Sequence, residues 1–426
     1  MSHISNVFAR EVLDSRGKPT VEVEVTCKNG VRGRAIVPSG ASTGQAEALE
    51  LRDKDCVRYD GQGVQRAVAN VNQKLGPAVM GMDAVDQQAI DAILLQQDAT
   101  PQKSALGGNA LLGVSLATAH AAAASRQVPL YRHINHLVRS SCSNTDREPL
   151  RPAMPLPMTN MISGGLHAGG NLDFQDVLIT PVSAPDYATC LEWIVRVYRR
   201  LGDLLTRAGY EGRLVGDEGG YGPRLKGNRE AVEFVARAIE AAELRPGEDV
   251  TIALDVAATH FLQHDGSYRL ITEQGTTLTS AAMIDRLEAW VDMFPITSIE
   301  DGLAEEDWAG WQALTQRLGD RIQLVGDDLF TTNEHRIVKG IELGVGNSVL
   351  IKVNQIGTLT EALRAITVAR EAGYSLVVSA RSGETEDTTI ADLAVGVAAE
   401  QIKIGSIVRS ERLAKYNQLL RISEDL

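Results

Sequence analysis

A chain of 426 residues exceeds what one small core organises, so two domains are expected. Hydrophobic residues at 44% and charged residues at 23% are ordinary for a globular enzyme, while a net charge of −13 argues against nucleic-acid partners, which need a basic surface. No apolar run reaches the ~18 residues that span a bilayer, no signal-peptide pattern opens the chain, and Cys27, Cys56, Cys142 and Cys190 form no Cys-x-x-Cys; a cytoplasmic protein with reduced thiols and no membrane partner is expected.

The chain opens as strands. Residues 7–13, 19–27 and 33–37 are parted by the turn sequences Asp14-Ser-Arg-Gly17 and Lys28-Asn-Gly30, and Val21, Val23 and Val25 alternate with Glu22, Glu24 and Thr26. Helical patterns follow over 59–75, 86–97 and 109–125, the last rich enough in alanine to pack closely against a neighbour. Residues 1–136 therefore read as an α+β domain. A stretch of Arg, Ser, Asn, Glu and Pro over 137–157 reads as a linker. Residues 158–426 then alternate helices with short apolar runs, the rhythm of an α/β barrel.

Several of those runs end in a residue able to do chemistry: Thr251-Ile-Ala-Leu-Asp255, Ile296-Thr-Ser-Ile-Glu300, Ile322-Gln-Leu-Val-Gly-Asp327, Val349-Leu-Ile-Lys352, Leu376-Val-Val-Ser-Ala-Arg381 and Gln401-Ile-Lys403. After a longer first interval they recur about every 22 to 29 residues, which suits one strand plus one helix per step. Parallel strands buried on both faces read as continuous apolar runs, and a barrel gathers its strand ends at one mouth. Asp255, Glu300 and Asp327 are candidate ligands for Mg²⁺, which takes hard oxygen donors; with no paired His or Cys nearby, zinc is disfavoured. Any one of them alone could merely cap a helix.

Lys352 and Lys403 are expected to have lowered pKa values, through burial and mutual repulsion, so that one can act as a general base. The alternative is a pair of structural salt bridges to the ligand carboxylates. Two Gly-rich loops, Pro38-Ser-Gly-Ala-Ser-Thr-Gly44 and Ser163-Gly-Gly-Leu-His-Ala-Gly-Gly170, have the composition of lids, and the first could cradle a phosphate. His167 either reaches an anion or is an exposed polar residue. Glu218, in Val215-Gly-Asp-Glu-Gly-Gly220, is a candidate general acid.

Nearly the whole chain resembles the enolase family. The resemblance rests on Asp14-Ser-Arg-Gly17, Ser39-Gly-Ala-Ser-Thr-Gly44, Val215-Gly-Asp-Glu-Gly-Gly-Tyr221, Ser298-Ile-Glu-Asp-Gly302, Gly326-Asp-Asp328, Lys352-Val-Asn-Gln-Ile-Gly357, Arg381-Ser-Gly-Glu-Thr-Glu-Asp387 and Ala414-Lys-Tyr-Asn-Gln418. It implies an N-terminal α+β capping domain, an enolase-type (β/α)8-like barrel whose early strands depart from simple βα order, two Mg²⁺ per active site, and a homodimer or higher homo-oligomer. The activity implied is the glycolytic lyase reaction that converts 2-phosphoglycerate to phosphoenolpyruvate. By matching position, Asp255, Glu300 and Asp327 resemble the tight Mg²⁺ site and Ser42 a ligand of the second ion. Lys352 resembles the base that removes the C2 proton, and Lys403 the lysine that holds the substrate carboxylate. Arg381 and Ser382 resemble the phosphate binders, and Glu218 the acid that assists loss of hydroxide. Asp176 falls with the catalytic groups, and His167 and Gln175 with the substrate-binding ones.

The chain departs from the family at Ala380, where His is usual, and at Asp176, where Glu is usual. Ser163 and Leu166 stand where Asn and a polar residue are usual, and the 137–157 stretch looks longer than the family's. Asp for Glu withdraws a carboxylate by roughly 1.5 Å, and misplacement by ~1 Å can cost about 10²-fold in rate. The proton-abstraction half thus reads as intact and the water-expelling half as rebuilt. Three readings result. One is ordinary phosphopyruvate hydratase. The second is a specialised relative, of the kind represented by the carboxyphosphonoenolpyruvate synthase of phosphonate biosynthesis, that admits a second small-molecule substrate at the space vacated by Ala380. The third is a non-catalytic scaffold, disfavoured by the intact base and ligands.

Overall fold

A computed structural model describes residues 2–41, 44–141 and 150–426. β1 (Ile4–Leu13), β2 (Pro19–Cys27) and β3 (Arg32–Ile36) form an antiparallel sheet with β2 central. The turns between them pass through Gly17 and Gly30 at φ +72° and +83°, a region open to glycine. Val21, Val23 and Val25 are fully buried, against a helical layer made of α1 (Gln87–Gln97), α2 (Gly108–Ser125) and α3 (Leu130–Ser141). The alanines of α2 let it lie directly on β3: a Cβ added to Gly33 would come within 2.2 Å of the Ala121 backbone nitrogen.

The single helix expected over 59–75 is not formed. Tyr59–Gly61 is a 3₁₀ turn, Gln65–Asn70 is helical and Val71–Leu75 continues as a π turn. Asp60 at φ 50° breaks the run before it starts. Of the stretch expected as a linker, residues 137–141 lie in α3, 142–149 lie outside the described residues, and 156–157 open the next strand.

β4 (Leu156–Ser163), β5 (Asp176–Thr180), β6 (Thr251–Asp255), β7 (Ile296–Glu300), β8 (Gln323–Gly326), β9 (Ser348–Ile351), β10 (Ser375–Ser379) and β11 (Gln401–Gly405) close a barrel. Met158, Leu178, Ala253, Val325, Leu350 and Val377 fill its interior. β5 runs antiparallel to both β4 and β6, whereas the other pairings are parallel. The 164–175 loop is too short for a helical crossover, so β4 and β5 pair as a hairpin. α4 (Tyr187–Arg207) and α5 (Asn228–Ala241) then follow in succession before β6. This is the departure from βα order that the resemblance implies. Later helices alternate with strands: α6 (Ser280–Met293), α7 (Trp308–Leu318), α8 (Glu334–Leu343), α9 (Leu359–Glu371), α10 (Thr389–Gly396) and α11 (Ser410–Ser423).

The first domain is fastened to the barrel by buried polar contacts. Asp91 accepts from Thr360 N and Oγ1 at 2.9 and 2.6 Å, Leu359 N donates to Ser115 Oγ at 2.9 Å, and Ile36 N donates to Asp387 at 2.9 Å. Ser39 and Gly383 exchange backbone hydrogen bonds of 2.8 Å, which brings the start of the 38–44 loop to the barrel mouth. Among the described residues no helix is long and apolar enough to cross a membrane.

Candidate active site

Reversal of β5 decides what the mouth contains. Because β5 runs backwards, its first residue lies level with the last residues of β6 and β7, and Asp176, Asp255 and Glu300 fall in cross-strand register. Lys403 of β11 reaches across to them: its Nζ lies 2.7 Å from Asp255 Oδ2 and 2.6 Å from Glu300 Oε2. Gln175 Nε2 donates to Asp255 Oδ2 at 2.9 Å. Just beyond β8, Asp327 pairs with Lys352 through Oδ2 and accepts from Gln355 Nε2 at 2.8 Å through Oδ1. Asp301 fixes that turn by accepting from the backbone N–H groups of Asp327 and Asp328 at 3.0 and 2.8 Å. Asp301 was not singled out from sequence, although it directly follows Glu300.

Charge accumulates here. Burial and then Asp255 push the Glu300 carboxyl up to about 8, against Lys403. Burial and then Asp327 do the same to Asp328, also to about 8. The lysines behave opposite to the expectation. Burial does pull them down, but Asp327 outweighs it at Lys352, and Asp255 with Glu300 outweighs it at Lys403, so both sit above the usual lysine range. Direct ion pairs count for more than a neighbouring cation farther off.

These residues fit Mg²⁺. The donors are hard carboxylate oxygens from separate strands, they already draw two ammonium groups between them, and Glu300 Oε1 is buried with no hydrogen-bond partner. Asp301, Asp327 and Asp328 offer ligand atoms within 4.8 Å of one another. Asp255 and Glu300 are joined to each other through Lys403. Ser42, expected at the second ion, lies outside the described residues.

The other half of the mouth holds a hydrogen-bonded chain. Ser163, last in β4, and Asp176, first in β5, are cross-strand partners; Ser163 Oγ donates to Asp176 Oδ1 at 2.7 Å. The second oxygen of Asp176 pairs with His167 Nδ1 at 2.9 Å, and His167 Nε2 lies 3.9 Å from Glu218 Oε1. Asn160 Nδ2 donates to Glu218 Oε2 at 3.0 Å. Glycine is needed at 220 to let this chain close, because a Cβ there would sit 2.5 Å from Ser163 Oγ. Asn160 went unnoticed in the sequence; its signal was a polar residue inside an otherwise buried strand.

His167 is buried rather than exposed, which removes one of its two readings. Burial alone would keep the imidazole neutral, but Glu218 and Asp176 outweigh it and hold its pKa at about 9. Burial would likewise raise Glu218, yet His167, Arg412 and Lys403 hold it down to about 2. At neutral pH the proton of this pocket therefore rests on His167. Leu166 beside it is 52% exposed. Ala380 is buried and brings only a methyl group, its backbone N donating to Lys403 O at 2.8 Å.

On the third side, Arg381 Nη1 lies 3.1 Å from Glu47 Oε2 and 2.9 Å from Asn354 Oδ1. Ser382 Oγ accepts from Ala41 N at 2.6 Å, tying the first Gly-rich loop to the strand end.

A closed barrel with one reversed strand, roofed by an α+β domain over buried carboxylates and lysines, defines a capped α/β-barrel protein built for charge chemistry at its mouth. Residues 151–426 match the family described as enolase, C-terminal TIM barrel domain, and residues 4–134 match enolase, N-terminal domain. The chain belongs to the enolase family.

Proposed function

We propose that this chain is a Mg²⁺-dependent lyase that removes the C2 proton of 2-phosphoglycerate, or a close analogue, and forms a phosphoenolpyruvate-type product. The observation that carries this reading is the placement of Lys352 and Lys403 against the buried carboxylates Asp327, Asp255 and Glu300 at one barrel mouth. Lys403 binds the substrate carboxylate, and Arg381 with Ser382 binds the phosphate. Lys352 takes the C2 proton, and the electron pair it leaves is drawn toward the carboxylate, beside the Lys403 cation. Asp255, Glu300 and Asp327 would hold Mg²⁺, which would supply counter-charge to them and to an enolate; Lys352, ion-paired to Asp327, acts as a base once it has given up its ammonium proton. The C2 electron pair then forms the C2–C3 double bond as the C3–O bond breaks. Hydroxide departs as water with a proton from the His167–Glu218 pair, whose imidazole is aimed by Asp176.

A second reading is favoured by Ala380. With a methyl group where the family carries an imidazole, enolate formation can persist while water loss slows and a second small molecule enters. Both readings are separated in D₂O with 2-phosphoglycerate and Mg²⁺, following C2 deuteration and phosphoenolpyruvate in one NMR time course. Exchange with prompt product supports the lyase. Exchange without product supports the second reading, and absence of both overturns the enolisation chemistry common to them.

A further inference from the structure

The motif Ala414-Lys-Tyr-Asn-Gln418 contributes nothing to the chemistry above, yet the helix that carries it, α11, sends its most buried polar groups under the mouth. Arg412 is fully buried. Its Nη1 donates to the carbonyls of Arg381 at 2.7 Å and Ile404 at 2.9 Å, and its Nη2 to the carbonyl of Ser382 at 2.7 Å. Glu411 Oε1 stands 3.7 Å from Nε, which has no hydrogen-bond partner among the described residues. Lys415 Nζ donates to Thr385 O at 2.6 Å and pairs with Glu384 at 2.7 Å, and Tyr416 Oη donates to Gly405 O at 2.9 Å.

A guanidinium buried on carbonyls is a poor stabiliser compared with an apolar side chain of similar volume. Its placement has a geometric consequence instead. The three carbonyls belong to two strand ends: Arg381 and Ser382 follow β10, and Ile404 adjoins Lys403 in β11. A planar, rigid fork donating to both fixes their separation.

We propose that Arg412 is a positioning residue that sets the span between the phosphate-binding pair Arg381 and Ser382 and the carboxylate-binding Lys403. It thereby selects acids whose carboxylate and phosphate are both borne by one carbon. This rests on the assignment of those two subsites under the proposed function.

Arg412→Lys and Arg412→Gln, in the full chain with Mg²⁺, test it by calorimetric titration. The affinity for 2-phosphoglycerate should fall about tenfold or more, while that for inorganic phosphate, which engages one subsite only, should change less than about threefold. Equal weakening of both ligands would mean a merely structural role and would overturn the proposal, as would unchanged 2-phosphoglycerate binding. The unaltered protein gives an independent check that needs no variant to fold: a phosphorylated acid with one more methylene between its anionic groups should bind about tenfold more weakly, and equal affinity refutes the span. If the unaltered protein binds neither phosphate nor 2-phosphoglycerate, the subsites themselves are misassigned and the proposal falls with them.

Discussion

Asp176, shortened by a methylene relative to the family, is not left reaching for a distant partner. Ser163 and His167 close on its two oxygens at 2.7 and 2.9 Å, so the substitutions at 163 and 176 form one fitted unit. Neither could be paired from sequence, because their contact depends on β5 running backwards. The lysine pKa direction was equally hidden, since it turned on ion pairs of 2.7 and 2.6 Å at Lys403 that no spacing rule contains. By contrast the position of Asp255, Glu300, Asp327 and Lys352 at or just beyond strand ends, and of Lys403 on the last strand, was legible, because buried strands announce themselves as apolar runs and a charge at the end of one is conspicuous. Asp176→Asn removes a carboxylate that aims His167 and, with Glu218, keeps it protonated. Product formation should fall roughly 10²-fold while C2 deuterium exchange changes by less than about threefold, a split that NMR reads in one sample. Lys352→Ala should abolish the exchange itself, with loss of about 10³-fold or more expected for a removed general base; exchange at the unaltered rate would show that another group takes the proton.

Among elements, the first three strands and the later barrel strands followed from patterning, the early barrel order was expected only from the family resemblance, and failures clustered where local backbone departs from one period. The 59–75 segment has helical spacing but begins at Asp60 with a positive φ, a conformation no hydrophobic pattern encodes. The contacts that join the two domains were also invisible, being backbone groups and single polar residues scattered along the chain. Asp91 is the clearest. It lies fully buried on α1, accepts from Gln87 Nε2 at 3.1 Å, and receives both the N–H and hydroxyl of Thr360 in the first turn of α9. Burial pushes its carboxyl upward, with Thr360 pulling against that. Asp91→Ala would leave the two Thr360 donors unpaired in a dry interface and should lower unfolding free energy by roughly 2–3 kcal/mol. Asp91→Asn, which can still accept, should cost less than half of that. Urea unfolding of both variants reads the difference, and equal losses would show that packing volume rather than hydrogen bonding holds the domains together.

For the whole molecule, acid stability should be governed in part by a residue far from the mouth. His133 on α3 is 1% exposed, and both ring nitrogens are without hydrogen-bond partners among the described residues. Burial, reinforced by Arg126 and by the neighbouring His136 and His120, depresses its pKa from 6.5 to about 4. Among the described residues no carboxylate opposes that shift, so the folded protein holds the ring neutral where the unfolded chain would protonate it. Above pH 6.5 the two states bind the same number of protons and the group is indifferent. As pH falls from 6.5 toward 4 the unfolded state binds the extra proton, and stability is lost at about 1.4 kcal/mol per pH unit from this residue alone. His133→Leu removes the titration while keeping an apolar side chain in the site. Unfolding free energy measured in urea at pH 7 and pH 5 should therefore fall by roughly 2 kcal/mol less in the variant than in the unaltered protein. Parallel losses in the two proteins would mean that the ring finds a counter-charge on protonation and that the acid limit lies elsewhere, in the paired carboxylates of the mouth.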